Sequence, residues 1–240
     1  MSAEYTAIDH ELRESDPYGQ GKYRITLRWL RDRKAGSLLY NVGCGGGLFN
    51  GMAVDAGFRV EAFEPDPVAF ELAHRDSPQH DCAVRQLGVG EIEGEGVADV
   101  IVMHDVLEHI EDDASVVERL RRLLVSDGSL VISVPALPSL FGFHDEELGH
   151  YRRYTRRSLR SVLIDQFDII RLRYFGFTLI PITAYYSRLR RRPYPTSPTA
   201  SGVTSAAFRA LCVVEERAPM PLGTSLICLA RPRTSGKLLP

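Results

Sequence analysis

A glycine-rich turn followed by an acidic residue is the first feature of this chain whose residue types could do chemistry. Four of the five residues 43–47 are glycine, and they follow an apolar run at 38–42. Glu64 lies seventeen residues beyond the last glycine, at the end of a second apolar run. Glycine lets a backbone approach a ligand where a Cβ would collide, and a carboxylate can accept hydrogen bonds from two ribose hydroxyls. Strand, turn, short helix, strand and acid therefore predict a nucleotide-binding half-unit, whereas the glycines alone would indicate an ordinary tight turn.

The spacing of the glycines separates two kinds of nucleotide site. Dinucleotide enzymes use G-x-G-x-x-G to place a pyrophosphate on a helix N-terminus, but from Gly43 this chain reads G-x-G-x-G. That turn resembles motif I of the class I S-adenosylmethionine-dependent methyltransferases, where it holds the amino-acid end of the cofactor. The resemblance implies S-adenosylmethionine as cofactor, S-adenosylhomocysteine as product, and an α/β fold with a Rossmann-like seven-stranded sheet. The implied strand order is 3-2-1-4-5-7-6, with strand 7 antiparallel, helices on both faces, and a helical insert between strands 6 and 7.

By the same resemblance, the cofactor-binding residues follow the carboxyl ends of the first four strands, where open α/β sheets bind ligands. They are Gly43, Cys44, Gly45 and Gly47 at the methionine end, Glu64 and Pro65 at the ribose, Leu87 and Gly88 at the adenine, and Met103 and His104 beside the sulfonium. Asn41 stands where the family usually has an acid. An amide can orient the turn but lacks the charge that attracts an ammonium group, so this departure bears first on cofactor affinity.

A second set of reactive side chains follows the fifth predicted strand. Methyl transfer to a hydroxyl or an ammonium group requires a base, and histidine titrates near neutral pH. The candidate catalytic residues are His144, Asp145 and His150. The stretch 149–155 reads G-H-Y-R-R-Y-T and resembles the G-H-x-R-R-Y-T segment of one bacterial branch of the family. No metal is expected, because two histidines separated by five residues in a loop are weak evidence and methyl transfer needs none.

The expected substrate-binding residues carry cationic or aromatic side chains near the same edge of the sheet: His109, Arg152, Arg153 and Tyr154. Two adjacent guanidinium groups can hold a phosphate or carboxylate as a fork. This favours a small anionic intermediate, such as a nucleotide-, sugar- or lipid-phosphate. The alternative is a loop in which the acids at 145–147 form ion pairs with the arginines.

Apolar periodicity predicts the elements that position these residues. The predicted strands are 37–42, 60–64, 83–87, 98–103, 129–134, 167–175 and 224–231, and the predicted helices include 23–32, 51–56, 68–75, 155–166 and 204–216. Strands that alternate with helices imply right-handed crossovers and a parallel sheet. We expect a single domain over 1–240, with an N-terminal helical cap at 1–35 and an insert at 178–223.

Composition narrows the class of protein. The chain is 44% hydrophobic with a net charge of −2. It contains no apolar run of the ~18 residues that a membrane span requires, and its polar N-terminus does not resemble a signal peptide; we therefore expect a cytoplasmic protein with its four cysteines as free thiols. Residues 1–134 hold 13 basic and 24 acidic side chains, and residues 135–240 hold 16 and 7. This asymmetry indicates either an anionic partner for the second part or two parts that attract each other.

Three functions remain open. The first is a methyltransferase that acts, as a monomer or homodimer, on a small molecule in a bacterial biosynthetic pathway. The second is a protein of this fold that binds the cofactor but catalyses another reaction or serves as a scaffold, since fold does not fix function. The third is contact with a membrane surface through 178–217, where two tyrosines precede an arginine cluster at 188–192; a cap over the substrate site or a dimer contact is the favoured alternative there. Nucleic-acid binding is not expected, because the chain is not basic overall.

Overall fold

A computed structural model describes residues 16–190 and 203–233 of the chain. Seven strands form one sheet in the order β3-β2-β1-β4-β5-β7-β6. Strand β7 is antiparallel to β5 and β6, and the remaining neighbours are parallel. The strands are β1 (Leu38–Val42), β2 (Arg59–Phe63), β3 (Ala83–Arg85), β4 (Ala98–His104), β5 (Leu124–Pro135), β6 (Phe167–Phe175) and β7 (Ser225–Pro232). The predicted fold class, strand order and direction of strand 7 are confirmed.

Strand β5 differs most from its prediction. It begins at Leu124, whereas the sequence pattern begins it at Ser129. Leu124 pairs with Ala98 and Ser129 pairs with Val100, so the segment between them forms an irregularity inside the strand. The Asp-Gly pair at 127–128, a dipeptide typical of turns, lies inside this bulge, where glycine is also tolerated.

Eight helices appear in the described part of the chain. They are α1 (Pro17–Leu30), α2 (Leu48–Asp55), α3 (Pro67–Asp76), α4 (Asp113–Leu123), α5 (Phe143–Glu147), α6 (Arg156–Leu163), α7 (Ile180–Ala184), which continues as a π-helical turn at Tyr185–Arg190, and α8 (Val203–Arg217). Local signals explain several starts. Asp66 and Thr155 accept hydrogen bonds from backbone amides of the first turns of α3 and α6, and Pro67 occupies the first helical position.

Helix α1 begins six residues before its predicted start at Tyr23. Asp16 caps it by accepting hydrogen bonds from the amides of Tyr18 and Gly19, at 3.0 and 3.1 Å. Pro17 then fills the first helical position. The Asp-Pro pair at 16–17 is therefore the same start signal as the one at 66–67. The earlier start matters because it adds Tyr18 and Lys22 to the helix.

The core lies on both faces of the sheet, as alternation within its strands requires. In β1, Leu38, Tyr40 and Val42 point into one buried cluster and Leu39 points into the other. The first cluster includes the apolar stripe of α4 and residues of α6, and the second includes residues of α1 and α2. The predicted helices on both faces are thereby confirmed. All four cysteines are buried and free, as predicted.

Helices α7 and α8 lie between β6 and β7, in the segment predicted as an insert. The Glu215 carboxylate of α8 accepts hydrogen bonds from the amides of Gly176, Phe177 and Thr178, at 2.8–3.0 Å. Residues 191–202, which hold part of the predicted arginine cluster, lie outside the described residues. Within the described ranges, no helix has the length and apolar character needed to span a bilayer.

Candidate functional site

The glycine turn follows β1 at the carboxyl edge of the sheet. Gly43, Gly45 and Gly47 have φ angles of 70°, 55° and 94°, which lie in the left-handed region that glycine enters without a steric penalty. A Cβ on Gly43 would stand 2.3 Å from Cγ2 of Val106, in the turn after β4. Close packing against that turn is thus a second reason for glycine at this position.

Glu64 directly follows β2 and holds the glycine turn in place. Its Oε2 accepts a hydrogen bond from the Gly45 amide at 2.8 Å, and its Oε1 accepts one from the Asp66 amide at 3.0 Å. Burial raises the pKa of this carboxyl, and the two amide donors oppose the shift. A carboxylate has about four acceptor sites. Two of them are therefore left for the hydroxyls of a ligand, on a side chain that is 8% exposed and held in place.

The other residues that are expected to bind the cofactor differ in their exposure to solvent. Pro65 is exposed beside Glu64, and Leu87 and Gly88 are half-buried after β3. The Cys44 thiol is buried, which raises its pKa and keeps it protonated. The Met103 side chain is fully buried in the core, so only its backbone can face a ligand.

The side chain of Asn41 makes a structural contact within the fold. Its amide donates a hydrogen bond of 2.7 Å to Oδ1 of Asn50, and both side chains are buried. This contact joins the end of β1 to α2, which starts immediately after the glycine turn. The amide therefore orients the turn, as the sequence analysis allows.

His104 ends β4 and packs against two aromatic rings. Its ring centroid is 5.1 Å from that of Tyr23 and 5.3 Å from that of Phe49. Burial lowers the pKa of His104 to about 3, so the imidazole is neutral at physiological pH. A neutral ring beside these two aromatic groups suits an apolar wall better than an acid or base.

A hydrogen-bonded chain links His104 to helix α1. The Ser133 hydroxyl donates its one proton to Asp105 at 3.0 Å, so His104 must donate from Nδ1 to Ser133 Oγ, also at 3.0 Å. The His104 Nε2 then accepts from the Thr26 hydroxyl at 3.2 Å. Lys22 forms an ion pair with Asp105 at the far end of the chain. We call Lys22, Thr26, His104, Asp105 and Ser133 the inner network.

Asp105 and Lys22 form an ion pair in which the lysine is buried and the aspartate is partly exposed. Burial alone would raise the pKa of Asp105, but Lys22 and the Ser133 hydroxyl outweigh it and lower the pKa to about 2. Burial likewise opposes the charge of Lys22, and Asp105 raises its pKa. Asp105 also has a φ of 54°, a left-handed conformation that Asp tolerates better than most residues. Sequence reasoning missed this pair, although the Asp-Pro signal at 16–17 would have placed Lys22 on α1.

A second group, the outer cluster, is formed by Glu108, His109, Asp145, His150 and Arg153. Asp145 is fully buried, and its Oδ1 accepts hydrogen bonds from His150 Nδ1 at 2.9 Å and Arg153 Nε at 2.7 Å. Burial opposes the charge of Asp145, but these two partners lower its pKa overall. An ionised Asp145 accepts the hydrogen bond from Nδ1 of His150, so Nε2 is the ring nitrogen that does not take part in this bond.

The outer cluster joins two segments that are forty residues apart in sequence. The Tyr151 amide donates a hydrogen bond of 2.8 Å to the carbonyl of Glu108. The rings of His109 and His150 meet edge to face, with centroids 4.5 Å apart. One ligand atom from each of Glu108, His109 and His150 lies within 4.8 Å of the others. His144 is also buried, on the short helix α5.

The expected substrate clamp is occupied by contacts within the protein. Arg152 donates to Asp113 at 3.1 Å and to the Glu111 carbonyl at 2.6 Å. Arg153 is 3% exposed at its side chain and pairs with Asp145. The Tyr154 hydroxyl is buried and donates to Asp113 at 2.9 Å. The alternative of an ion-paired loop thus describes these residues, although the acidic partner of Arg152 comes from α4.

The model for a family described as "Methyltransferase domain" matches residues 21–169. The chain belongs to this family. The matched residues contain the glycine turn, Glu64, the inner network and the outer cluster, and they end within β6. The methyltransferase-domain match thus includes both groups of polar side chains that the fold brings to the carboxyl edge of the sheet.

Among curated relatives of this methyltransferase domain, an uncharacterized methyltransferase of Mycobacterium leprae is 28% identical over 165 residues, which cover 63% of this chain and 61% of the relative. A ubiquinone biosynthesis O-methyltransferase of Pseudomonas paraeruginosa is 28% identical over 115 residues, covering 45% and 50%. The chain thus spans between half and two thirds of the length of these relatives.

Solved structures share the fold of the methyltransferase domain at low sequence identity. The N-methyltransferase NodS of Bradyrhizobium japonicum, in complex with S-adenosylhomocysteine, superposes with a TM-score of 0.60 and 14% identity, over 92% of this chain and 90% of its own. The [4+2]-cyclase SpnF superposes with a TM-score of 0.57 and 16% identity, over 86% and 80%.

Proposed function

We propose that the protein is an S-adenosylmethionine-dependent methyltransferase that acts on a small molecule. The observation that carries the proposal is the junction of the glycine turn with Glu64, in which a buried carboxylate holds the Gly45 amide and keeps acceptor sites for a ribose. It lies at the carboxyl edge of β1 and β2 in a family of methyltransferase domains. The order of strands around it is the order that the resemblance implies.

The residues of the pocket bind and desolvate rather than react. The cofactor, when bound, supplies a methyl group on a positively charged sulfur. Glu64 would hold the ribose, and the glycine amides would face the amino-acid end. Tyr23, Phe49 and neutral His104 present an aromatic wall, which excludes water and favours a dispersed positive charge.

The outer cluster is proposed to bind and activate the acceptor. Transfer requires an acceptor lone pair in line with the bond from methyl carbon to sulfur, and a hydroxyl acceptor must lose its proton. Of the three candidate bases, Asp145 is fully buried and acts through His150, so it is a positioning residue. His150 has the imidazole with an available Nε2. His144 is buried on α5 and is proposed to shape the loop.

The class of acceptor is proposed to be a hydroxyl-bearing small molecule. The name of the Pseudomonas relative, an O-methyltransferase, supports oxygen as the acceptor atom. The expected fork of Arg152 and Arg153 gives little support to an anionic acceptor, because both guanidinium groups are paired inside the protein. An anionic group on the substrate would therefore need another cation.

Calorimetry with S-adenosylmethionine and S-adenosylhomocysteine tests the cofactor part of the proposal. The variant Glu64→Gln should weaken binding at least tenfold, because it replaces a charged acceptor by a neutral one. Glu61→Gln is the matched control, since Glu61 lies on the same strand and pairs with Arg85 instead. Absence of binding to the wild-type protein would refute the proposal. Methyl-labelled cofactor incubated with a small-molecule extract then tests transfer.

A second candidate is a protein that binds the cofactor and catalyses another reaction. Asn41, tied to Asn50 in place of the acid that the resemblance implies, supports it together with the cyclase that shares the fold. Tight cofactor binding without transfer of label to any acceptor would favour this candidate. Membrane contact through 178–217 stays a prediction, since the arginine side chains that would carry it lie outside the described ones.

A further inference from the structure

Glu108, His109 and His150 converge although they come from two different loops. Glu108 and His109 lie in the turn after β4, and His150 follows α5. One ligand atom from each lies within 4.8 Å of the other two. Atoms bound to one divalent cation at about 2.1 Å are at most about 4.2 Å apart. In a tetrahedral site the ligand atoms lie about 3.4 Å apart, so side-chain movements of up to about 1 Å would bring the three atoms around one ion.

We propose that these three side chains bind one divalent transition-metal cation. Two imidazoles and one carboxylate are the donor set that zinc and its first-row neighbours accept, with positions left open for other ligands. No metal is expected from the sequence, because the spacing of His144 and His150 is weak evidence and methyl transfer needs none. The converging set instead takes its other members from the turn after β4, which no local spacing could reveal.

The surroundings of His150 fit the role of a metal ligand. Ligating histidines commonly donate their second ring N–H to a carboxylate, which fixes the tautomer and raises the basicity of the ligand nitrogen. Asp145 accepts such a bond from His150 Nδ1 at 2.9 Å, so Nε2 is the atom left for the metal. Asp145 is itself held by Arg153 and by the Gly142 amide, at 2.7 and 3.1 Å. The carboxylate and the ring are therefore fixed before any ion binds.

Charge and rigidity also favour a cation at this place. Arg153 balances Asp145, and Glu108 adds a second carboxyl group to the outer cluster beside the two histidines. Ligation of a cation is one of the ways in which a buried carboxylate is stabilised, and Glu108 is 1% exposed. The hydrogen bond from Tyr151 to the Glu108 carbonyl keeps the two loops in register. His109 is exposed, so the ion would have access to solvent and to an acceptor.

The role suggested for the metal rests on the proposed function, whereas the presence of the metal site does not depend on it. A cation lowers the pKa of a bound hydroxyl and would anchor the oxygen of an acceptor at the place where both arginines are already paired. With Nε2 of His150 bound to the ion, the cation takes over from the imidazole the activation of the hydroxyl. The proton leaves to solvent, the oxygen forms its bond to the methyl carbon, and the electrons of the broken carbon–sulfur bond remain on sulfur.

Calorimetric titration with Zn²⁺, repeated with Co²⁺ while its visible absorption is recorded, tests the site on the full chain. Wild-type protein should bind one ion, and Co²⁺ should show a spectrum of coordination by protein ligands. His109→Ala should weaken binding at least tenfold without unfolding the protein, because His109 is exposed. His74→Ala, which removes an exposed histidine on α3, is the matched control and should bind as the wild type does. Asp145→Asn should cost about 10–100-fold in affinity.

The same proteins are titrated with S-adenosylmethionine, which separates the two proposals. Failure of wild-type protein to bind either ion, or equal affinities in wild type and His109→Ala, would overturn the metal site while leaving the cofactor proposal intact. Binding of the metal without binding of S-adenosylmethionine would overturn the proposed function and leave the metal site standing.

Discussion

The ion pair of Lys22 with Asp105 should contribute measurably to the stability of the fold. Lys22 lies on α1 and its side chain is 8% exposed, whereas Asp105 follows β4 and its side chain is 29% exposed. The variant Lys22→Met removes the cation and keeps the length of the side chain. It leaves Asp105 with the Ser133 hydroxyl as its remaining side-chain donor among the contacts described above.

The pKa of Asp105 sets the size of the expected effect. Its value of about 2, against an ordinary 3.8, is a shift of nearly two units. At ~1.36 kcal/mol per unit this corresponds to about 2.5 kcal/mol, of which Ser133 supplies part. Removal of one partner from a fully buried pair costs roughly 3–5 kcal/mol. Because Asp105 keeps some contact with water, we expect Lys22→Met to lower the free energy of unfolding by about 2 kcal/mol.

Urea unfolding at pH 7 measures this change. With a slope of roughly 3 kcal/mol per molar urea for a chain of this length, the midpoint should fall by about 0.7 M. Asp105→Asn completes a double-mutant cycle, and Asn keeps the tolerance for a left-handed backbone. We expect it to cost at least as much, since it leaves the more deeply buried Lys22 charge unpaired. A coupling energy below about 0.5 kcal/mol would refute the reasoning.

The pH dependence of the same difference provides a second check. Because the pKa of Asp105 is lowered in the folded protein, its contribution is present above the pKa of the unfolded chain and is lost as the pH falls toward 2. The stability gap between wild type and Lys22→Met should therefore be constant from pH 7 to about pH 5 and then shrink. A gap that grows on acidification would contradict the assignment.

Three further outcomes are expected. Gly43→Ala should lower the free energy of unfolding by about 1–3 kcal/mol and should also weaken cofactor binding, because its φ of 70° and a Cβ 2.3 Å from Val106 are both unfavourable. Adding Val106→Ala to the same chain should restore part of the stability measured by thermal unfolding. Affinity for S-adenosylmethionine should fall on acidification, at a pH above the range in which an ordinary carboxyl titrates, because burial raises the pKa of Glu64 and protonation removes its charge. Calorimetry at several pH values measures this dependence. An affinity that does not change with pH would exclude Glu64 as the acceptor. Tyr154→Phe should cost about 1 kcal/mol in urea unfolding, since it removes the buried hydrogen bond to Asp113, and an unchanged midpoint would argue against that bond.

Sequence predicts this fold well wherever a short-range signal specifies an element. The Asp-Pro pair at 66–67 predicts the start of α3, and alternation predicts β6 at Phe167–Phe175 with both ends correct. The start of α1 was wrong because the same signal at 16–17 was not applied there. The start of β5 was wrong because a bulge and a turn share the Asp-Gly signature, and only the pairing with β4 distinguishes them.

The same distinction between local signals and contacts of distant segments applies to the candidate site. The glycine turn and Glu64 could be predicted because their signal is local and their spacing is fixed by one strand–helix–strand unit. The inner network could not, since it joins α1, β4 and β5 through side chains with no common spacing. The partners of Arg152 and Arg153 were open for the same reason: acids in two segments, Asp113 and Asp145, compete for them.

The turn after β4 connects the three parts of the site. His104 lies in the proposed wall of the cofactor pocket, Asp105 forms an ion pair with Lys22 of α1, and Val106 packs over Gly43 of the glycine turn. Two residues further, the Glu108 carbonyl accepts the hydrogen bond that fixes the loop of the outer cluster. Because protein interiors are close-packed, a change of position in this short segment would be transmitted to the glycine turn, helix α1 and the outer cluster together. Asp105, with its left-handed φ of 54°, lies at the centre of this turn, and the ion pair with Lys22 and the hydrogen bond from Ser133 hold it between the proposed cofactor pocket and the proposed metal site.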